Sequence, residues 1–215
     1  MRYFIDTEFI RHGNEVIPVS LAIVKDNEEL RQKSNTELLF PTTTVPGIYF
    51  EFPLSESDLA KADAFVKNHV LASLNSEKTS LEDARAAILE FIGEDKYPEF
   101  IADYGAFDYV VFANIFGSFD NYPKHFPMFF TEFQSLLAAS DCGFENYAKL
   151  ESTHNALDDA LEMYRQYRYM RYEEEIVIGR VAKFIKRTLY DVERAQRIAK
   201  AAAGLSTVDV MEKIA

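Results

Sequence analysis

The sequence contains a single cysteine, eight glycines and seven prolines among its 215 residues, and it has no long apolar run. The lone Cys142 cannot form an intrachain disulfide, which is typical of a reducing cytoplasm. No apolar run approaches the roughly 18–20 residues that a membrane span needs. The first ten residues, MRYFIDTEFI, contain two acids and lack a signal-peptide cleavage site. The sequence therefore predicts a cytoplasmic protein that makes no membrane contact.

Basic side chains are also few, with 23 Lys and Arg against 35 Asp and Glu and a net charge of −12. Residues 1–164 carry 12 basic and 28 acidic side chains, whereas residues 165–200 carry 10 basic and five acidic ones. Proteins that hold long nucleic acids normally present a broad basic surface. The charge balance argues against such a surface on residues 1–164, but it is compatible with a cleft that binds a few nucleotides.

The order of elements predicts an α/β fold. Residues 2–9 and 15–25 read as two strands joined by a turn, 29–40 as a third strand, and 41–55 as a loop. This loop is predicted either to cover a cleft or to pack into the core. Helices are predicted over 58–74, 81–92, 106–117, 132–140, 155–171 and 176–203, with a further strand over 99–103.

The first candidate site is Asp6-Thr7-Glu8 on the first strand. Because side chains alternate along a strand, Asp6 and Glu8 share a face, with Cα atoms roughly 6–7 Å apart. Two carboxylates at that spacing repel each other unless a cation lies between them, and hard divalent ions suit such oxygen ligands. Alone, the pair is better explained as the solvent face of an edge strand.

Two later segments place further acids at helix starts. Asp108 falls in the first turn of the helix that follows the 99–103 strand, where it can also act as a favourable dipole partner. His154 precedes the next such helix, whose Asn155 and Asp158 resemble a capping pair. That capping pair leaves His154 and Asp159 without an evident scaffold role.

Together the three segments resemble the DEDDh family of 3′–5′ exonucleases, which includes the DnaQ-like and RNase T-like enzymes. The three family motifs are matched by Asp6-Thr7-Glu8, by Phe107-Asp108, and by His154, Ala156 and Asp159. A sister class has tyrosine where this chain has Asn155, so the histidine class is indicated. The resemblance covers residues 1–172 and is closest to the short mycobacterial-type polyadenylate-specific exoribonuclease branch. It implies a ribonuclease H-like, mixed five-stranded sheet flanked by helices, with residues 173–215 as a C-terminal helical extension.

The resemblance also implies catalysis with two divalent ions, Mg²⁺ or Mn²⁺. Asp6 would bridge the two ions, Glu8 and Asp159 would complete the nucleophile-side site, and Asp108 would hold the second ion. His154 would be the general base. The candidate substrate contacts are Thr7, within the first motif, and Phe9 and Ile10, directly after it.

The expected substrate is the free 3′ end of single-stranded RNA, shortened one nucleotide at a time. Degradation of DNA or short oligonucleotides is an alternative, and a non-catalytic nucleic-acid- or protein-binding module that keeps the fold is another. Arg165, Arg168 and Arg171 point away from Asp159 by helical phase and are expected to form a solvated stripe or a subunit contact. The apolar face of 176–203 is expected to cover either its own domain or a second copy in a homodimer.

Overall fold

The computed structural model of the chain describes residues 1–26, 45–117, 119–140 and 153–203. The chain divides into two compact units, Met1–Arg171 and Tyr172–Ala215. None of the helices within the described ranges is long and apolar enough to cross a membrane.

The first unit is built on a five-stranded sheet. Its strands are β1 Arg2–His12, β2 Glu15–Lys25, β3 Gly47–Glu51, β4 Glu99–Ala102 and β5 Thr131–Glu132. They lie in the order β3-β2-β1-β4-β5, with β2 antiparallel to β1 and β3, and β4 parallel to β1 and β5. This mixed sheet, flanked by helices, confirms the predicted ribonuclease H-like fold class.

Helices connect and flank these strands. They are α1 Glu56–Lys61, α2 Leu71–Ser73 preceded by a π-helical turn Val66–Val70, α3 Leu81–Ile92, α4 Ala106–Ile115, α5 Phe133–Ala139 and α6 Ala156–Ala203. The predicted helices over 81–92, 106–117 and 132–140 are therefore confirmed to within a few residues. Where the sequence predicts two helices beyond residue 155, the structure has the single helix α6.

The two faces of β1 are buried by different helices, as the alternation of side chains requires. Ile5 lies in one apolar cluster with Ile88 of α3 and Phe112 of α4. Phe4 lies on the opposite face, where its ring contacts Tyr164 of α6 edge-on at 5.4 Å between centroids. Asp6 continues the Phe4 face, so it is directed to the side of the sheet on which α6 begins.

The β1–β2 hairpin is confirmed, whereas the predicted loop over 41–55 is wrong in part. Residues 47–51 form β3 and pair with β2, because their apolar and aromatic side chains suit a half-buried strand. Phe52 is buried in the first cluster, so the core-packing alternative holds for this segment. The predicted strand over 29–40 lies outside the described residues.

The predicted helix over 58–74 is also wrong in part, because it is interrupted after α1. Ala62 has an extended backbone, with ψ of 131°. The Asp63 carboxylate then accepts a hydrogen bond from the Val66 N–H at 2.8 Å and starts a new helical segment. The break separates α1 from the π-helical turn that approaches the candidate site.

Candidate active site

Strand β1 supplies the first two acids. Asp6 and Glu8 lie on one face, beyond the stretch Arg2–Phe4 where β1 pairs with β4. The pairing of β1 with β2 shifts between Glu8 and Phe9, which is a β-bulge. A bulge bends a strand and redirects its side chains, and bulges are frequent beside active sites.

The turn from β4 into α4 is held in a strained conformation. Tyr104 has φ of +55°, which is uncommon for a residue with a Cβ. The Glu132 carboxylate accepts hydrogen bonds from the Tyr104 N–H at 2.8 Å and the Gly105 N–H at 3.0 Å. A Cβ on Gly105 would lie 3.3 Å from the Cβ atoms of Ala102 and Phe130, so this position favours glycine. Glu132 therefore fixes the backbone from which α4 starts.

Asp108, in the first turn of α4, is only 5% exposed. Its Oδ1 accepts a hydrogen bond of 2.7 Å from the Thr7 hydroxyl on β1. A bond from a neutral donor to a carboxylate favours the charged form and fixes its orientation. Thr7 thus ties the second acid segment to the first.

At the start of α6, some polar side chains cap the helix and others face the first motif. The Asn155 side chain accepts a hydrogen bond from the Leu157 N–H at 3.0 Å, as a helix cap does. Asp158 accepts one from the Thr153 hydroxyl at 2.9 Å. His154 and Asp159 instead come close to Glu8: one ligand atom from each of the three residues lies within 4.8 Å of the others.

The remaining two acids belong to the same electrostatic cluster. Burial raises the pKa of Asp6 well above its ordinary value, and the negative charges of Asp108 and Glu8 raise it further. Burial, followed by the charge of Asp159, raises the pKa of Glu8 to about 7. Burial also raises the pKa of Asp108 to about 7, although the hydrogen bond from Thr7 acts in the opposite direction. The structure thus brings together all five residues that the motifs predict.

The donor set fits divalent metal ions. Carboxylate oxygens are the ligands that Mg²⁺ and Mn²⁺ prefer. The charges of neighbouring acids raise the pKa values of Asp6 and Glu8, so a cation would stabilise this site by offsetting the repulsion. Asp6, Glu8, Asp108 and Asp159 would hold such ions.

An open cavity of about 280 Å³ adjoins Glu8. It is lined by Glu8, Phe9, Arg11, Asp63, Phe65, Val66 and Val70. The Phe9 ring stacks on Phe107 with 5.3 Å between centroids, and the Arg11 guanidinium lies 5.6 Å from the centre of the Phe107 ring. The cavity therefore combines one acid of the cluster with aromatic surface.

The three predicted substrate contacts have different surroundings. Phe9 lines the cavity and is partly exposed. Ile10 is fully buried in an apolar cluster with Val19, Ala62 and Val70, so its side chain presents no surface to a base. Thr7 is 5% exposed and its hydroxyl bonds Asp108, which gives it a positioning role.

Several residues of the site are absent from the sequence-based prediction. Asp103 accepts a hydrogen bond from Gln134 at 3.0 Å, and its charge raises the pKa of both Asp6 and Asp108. Its place directly after β4 is a signal that could have identified it. Glu132 and Phe65 carry no such signal, because they reach the site from segments with no matching motif.

The expectation of a solvated arginine stripe on α6 is wrong for its central member, whereas Arg165 is partly exposed and Arg171 is exposed. Arg168 is 6% exposed, and its guanidinium lies 3.7 Å from the Asp26 carboxylate. The neighbouring Tyr164 and Tyr167 are also buried, in the cluster around Phe4. The central arginine therefore supports the packing of α6, because a buried guanidinium requires a charged partner.

A ribonuclease H-like sheet whose central strand and two helix starts bring four acids and a histidine together is the arrangement of a nuclease. A family model described as the 3′–5′ exoribonuclease Rv2179c-like domain matches residues 1–171, and the chain belongs to this family. The protein is therefore an enzyme, a hydrolase of the 3′–5′ exonuclease type.

Two curated relatives come from Mycobacterium tuberculosis. They are the 3′–5′ exoribonuclease Rv2179c of strain ATCC 25618 / H37Rv and the 3′–5′ exoribonuclease MT2234.1 of strain CDC 1551 / Oshkosh. Each is 27% identical over 175 residues, which cover 78% of this chain and 92% of the relative.

Proposed function

We propose that the protein is a metal-dependent 3′–5′ exoribonuclease that releases nucleoside 5′-monophosphates from the free 3′ end of single-stranded RNA. The observation that carries this proposal is the approach of Glu8, His154 and Asp159 to within 4.8 Å, beside Asp6 and Asp108. Family membership supports the direction of cleavage and the class of substrate.

Four acids hold the metal ions in this proposal. Asp6 would contribute to both positions, Glu8 and Asp159 to the one beside the attacking water, and Asp108 to the one beside the leaving oxygen. Two Mg²⁺ or Mn²⁺ ions would stabilise the attacking and leaving oxygens of an in-line displacement.

His154 is the general base of the proposed reaction. Its imidazole accepts a proton from the attacking water as the new phosphorus–oxygen bond forms. The bond to the departing 3′ oxygen breaks, and the released nucleotide keeps its phosphate on the 5′ oxygen. The proximity of His154 to Glu8 and Asp159 supports this role, because a general base must be within hydrogen-bond reach of its proton donor or connected to it through one water.

The aromatic side chains beside the acids receive the terminal base. Phe9 and Phe107 form a stacked pair, and Phe65 lies on the cavity wall with an exposed fraction of 50%. Base stacking on aromatic rings contributes about 1–3 kcal/mol per base and tolerates any sequence. Such a site grips one or two nucleotides without a broad basic surface, which agrees with the net charge of −12.

The test uses single-stranded RNA and DNA of one sequence, each labelled at the 5′ end, incubated with Mn²⁺ or with EDTA. The proposal predicts a ladder of stepwise shortened RNA products with Mn²⁺ and none with EDTA. Equal degradation of DNA would favour the broader exonuclease alternative. No degradation of either polymer would favour the non-catalytic binding module.

We also propose that the enzyme forms a homodimer through α6. In the second unit, Ile178, Val181, Ile185 and Val192 recur at three-, four- and seven-residue steps and are each 48–66% exposed. This spacing is that of a helix stripe that pairs with a second helix. The proposal predicts a dimeric mass in solution, and a monomer at micromolar concentration would contradict it.

A substitution pair tests the same stripe. I185E should dissociate the dimer, whereas R187E, a change about 200° away around the same helix, should leave the mass unchanged. Residues 1–172 are the proposed catalytic domain and 173–215 its extension. We place the enzyme in the cytoplasm, which fractionation of its host cells would test.

A further inference from the structure

The segment Phe65–Ser73, which contains the π-helical turn and α2, packs against the residue that we propose as the general base. The Phe65 ring meets the His154 ring edge-on at 4.9 Å between centroids, and the His69 ring lies 5.7 Å from it. π-helical turns are rare and often occur at functional sites. The segment has no counterpart in the three motifs, yet it contacts His154 directly.

His154 has a strained backbone. Its φ of +51° places it in the left-handed region, which costs a residue with a side chain about 1–3 kcal/mol. Such strain persists only where surrounding contacts enforce it. The direction in which the imidazole leaves the backbone therefore depends on what holds the His154 peptide.

Ser73 holds that peptide. Its hydroxyl donates to the His154 carbonyl oxygen at 3.1 Å and to the Val70 carbonyl oxygen at 2.8 Å. A hydroxyl has one proton, so the two carbonyls share it. The bond to Val70 is local, three residues back along the helical segment, whereas the bond to His154 joins residues 81 apart in sequence.

We propose that Ser73 is a positioning residue for the general base: through its hydrogen bond to the His154 carbonyl, it fixes the strained backbone that directs the imidazole toward Glu8 and Asp159. The proposal rests on the proposed function for the role of His154. Phe65 and His69 limit the swing of the ring, and Ser73 sets the position of the backbone.

The test compares S73A, S73T and wild type in the degradation of RNA with Mn²⁺. Misplacement of a catalytic group by about 1 Å can cost about a hundredfold in rate, so S73A should lower kcat by about tenfold to a hundredfold. KM and the affinity for Mn²⁺ should stay within about twofold, because the Ser73 hydroxyl bonds two backbone carbonyls and no acid of the cluster. S73T keeps the hydroxyl and should restore most of kcat.

Ser140 provides the matched control. Its hydroxyl makes the same local bond, to the Leu137 carbonyl three residues back at 2.9 Å, at the end of α5. S140A therefore removes an equivalent hydroxyl and should leave kcat within about twofold. Equal losses in S73A and S140A would show that only local helix stability is at stake and would overturn the proposal.

A second readout is independent of turnover. The imidazole NMR signals of His154, one of four histidines and assigned with H154A, should shift or broaden in S73A but not in S140A. An unchanged His154 signal, an unchanged kcat, or a change confined to KM would each overturn the proposal. If wild type degrades no RNA, the proposed function fails, and the histidine signals still decide whether Ser73 fixes His154.

Discussion

Helices α4 and α6 both begin beside β1, and a residue with positive φ precedes each of them. Tyr104 comes four residues before Asp108, and His154 comes five residues before Asp159. The supports of these two helix starts differ. At the start of α4 the Glu132 carboxylate accepts two backbone N–H groups, whereas at the start of α6 the Ser73 hydroxyl donates to the His154 carbonyl oxygen. Hydrogen bonds to a charged group are about twice as strong as neutral ones.

The exposure of the functional side chains follows the same division. Asp108 is buried and bonded to Thr7, whereas His154 and Asp159 are only partly buried. The start of α4 therefore buries its candidate metal ligand, whereas the start of α6 leaves both the proposed base and the candidate ligand Asp159 partly exposed.

The largest expected effects come from replacing the functional side chain at each helix start. H154A should lower kcat by about 10²–10⁴-fold while it keeps Mn²⁺ affinity, because general-base catalysis contributes that much. D108N should lower kcat by a similar factor. It should also weaken Mn²⁺ binding, which calorimetry measures. Loss of Mn²⁺ affinity in H154A, or its full retention in D108N, would contradict this division.

A smaller effect is expected when the support of the α4 start is removed. E132A deletes the acceptor of two backbone N–H groups and should lower the free energy of unfolding by about 2–3 kcal/mol, measured by urea denaturation. Turnover should fall as well, since Asp108 follows the released turn. E90A removes an exposed glutamate of α3 and serves as the control; equal destabilisation by both variants would refute the role of Glu132.

A conservative change on β1 should alter the pH dependence of the reaction. T7V keeps the shape of the side chain but removes the hydroxyl that lowers the pKa of Asp108, so this pKa should rise above about 7. At limiting Mn²⁺, activity should fall by about tenfold below the new pKa, because a proton on Asp108 competes with the metal ion. The deficit should narrow as pH rises, and a deficit that is constant between about pH 6 and 9 would contradict the prediction.

The smallest effect concerns the stability of the metal-free protein. The pKa values of Glu8 and Asp108, about 7, lie above their ordinary values, so the folded state binds more protons than the unfolded state between about pH 4 and 7. These groups therefore lower the free energy of unfolding least at low pH, and they lower it further as the pH rises through about 7.

The melting temperature in EDTA should therefore fall as the pH rises through about 7. The rise in melting temperature that Mn²⁺ produces should be larger at about pH 7.5 than at about pH 5.5, because metal and protons compete for the same carboxylates. E8Q should reduce the difference between the two pH values. A Mn²⁺ shift that is independent of pH would show that these acids do not bind the ion.

Much of this arrangement could be predicted from local sequence. Asp6 and Glu8 share a strand face by alternation, and the capping role of Asn155 leaves His154 and Asp159 as the groups without a scaffold role. The order of strands and helices also follows from the apolar pattern, which is why the sheet matches the prediction around β1 and β4.

The remainder depends on contacts between distant segments. Glu132 and Ser73 act on backbone groups 28 and 81 residues away, and no periodicity indicates such bonds. Helical phase places Arg168 in solvent, because phase alone does not indicate that Asp26 lies opposite it. The break at Ala62 is likewise hidden in the sequence, since no proline or glycine marks it.

The central claim is that the four acids around β1 form one metal centre, with His154 beside it as the base. The most direct test is an anomalous difference map from crystals of the full chain grown with Mn²⁺. We predict peaks among the carboxylates of Asp6, Glu8, Asp108 and Asp159, and none of comparable height elsewhere on the chain. A map without a peak at these carboxylates, from a protein that degrades RNA under the same conditions, would contradict the account.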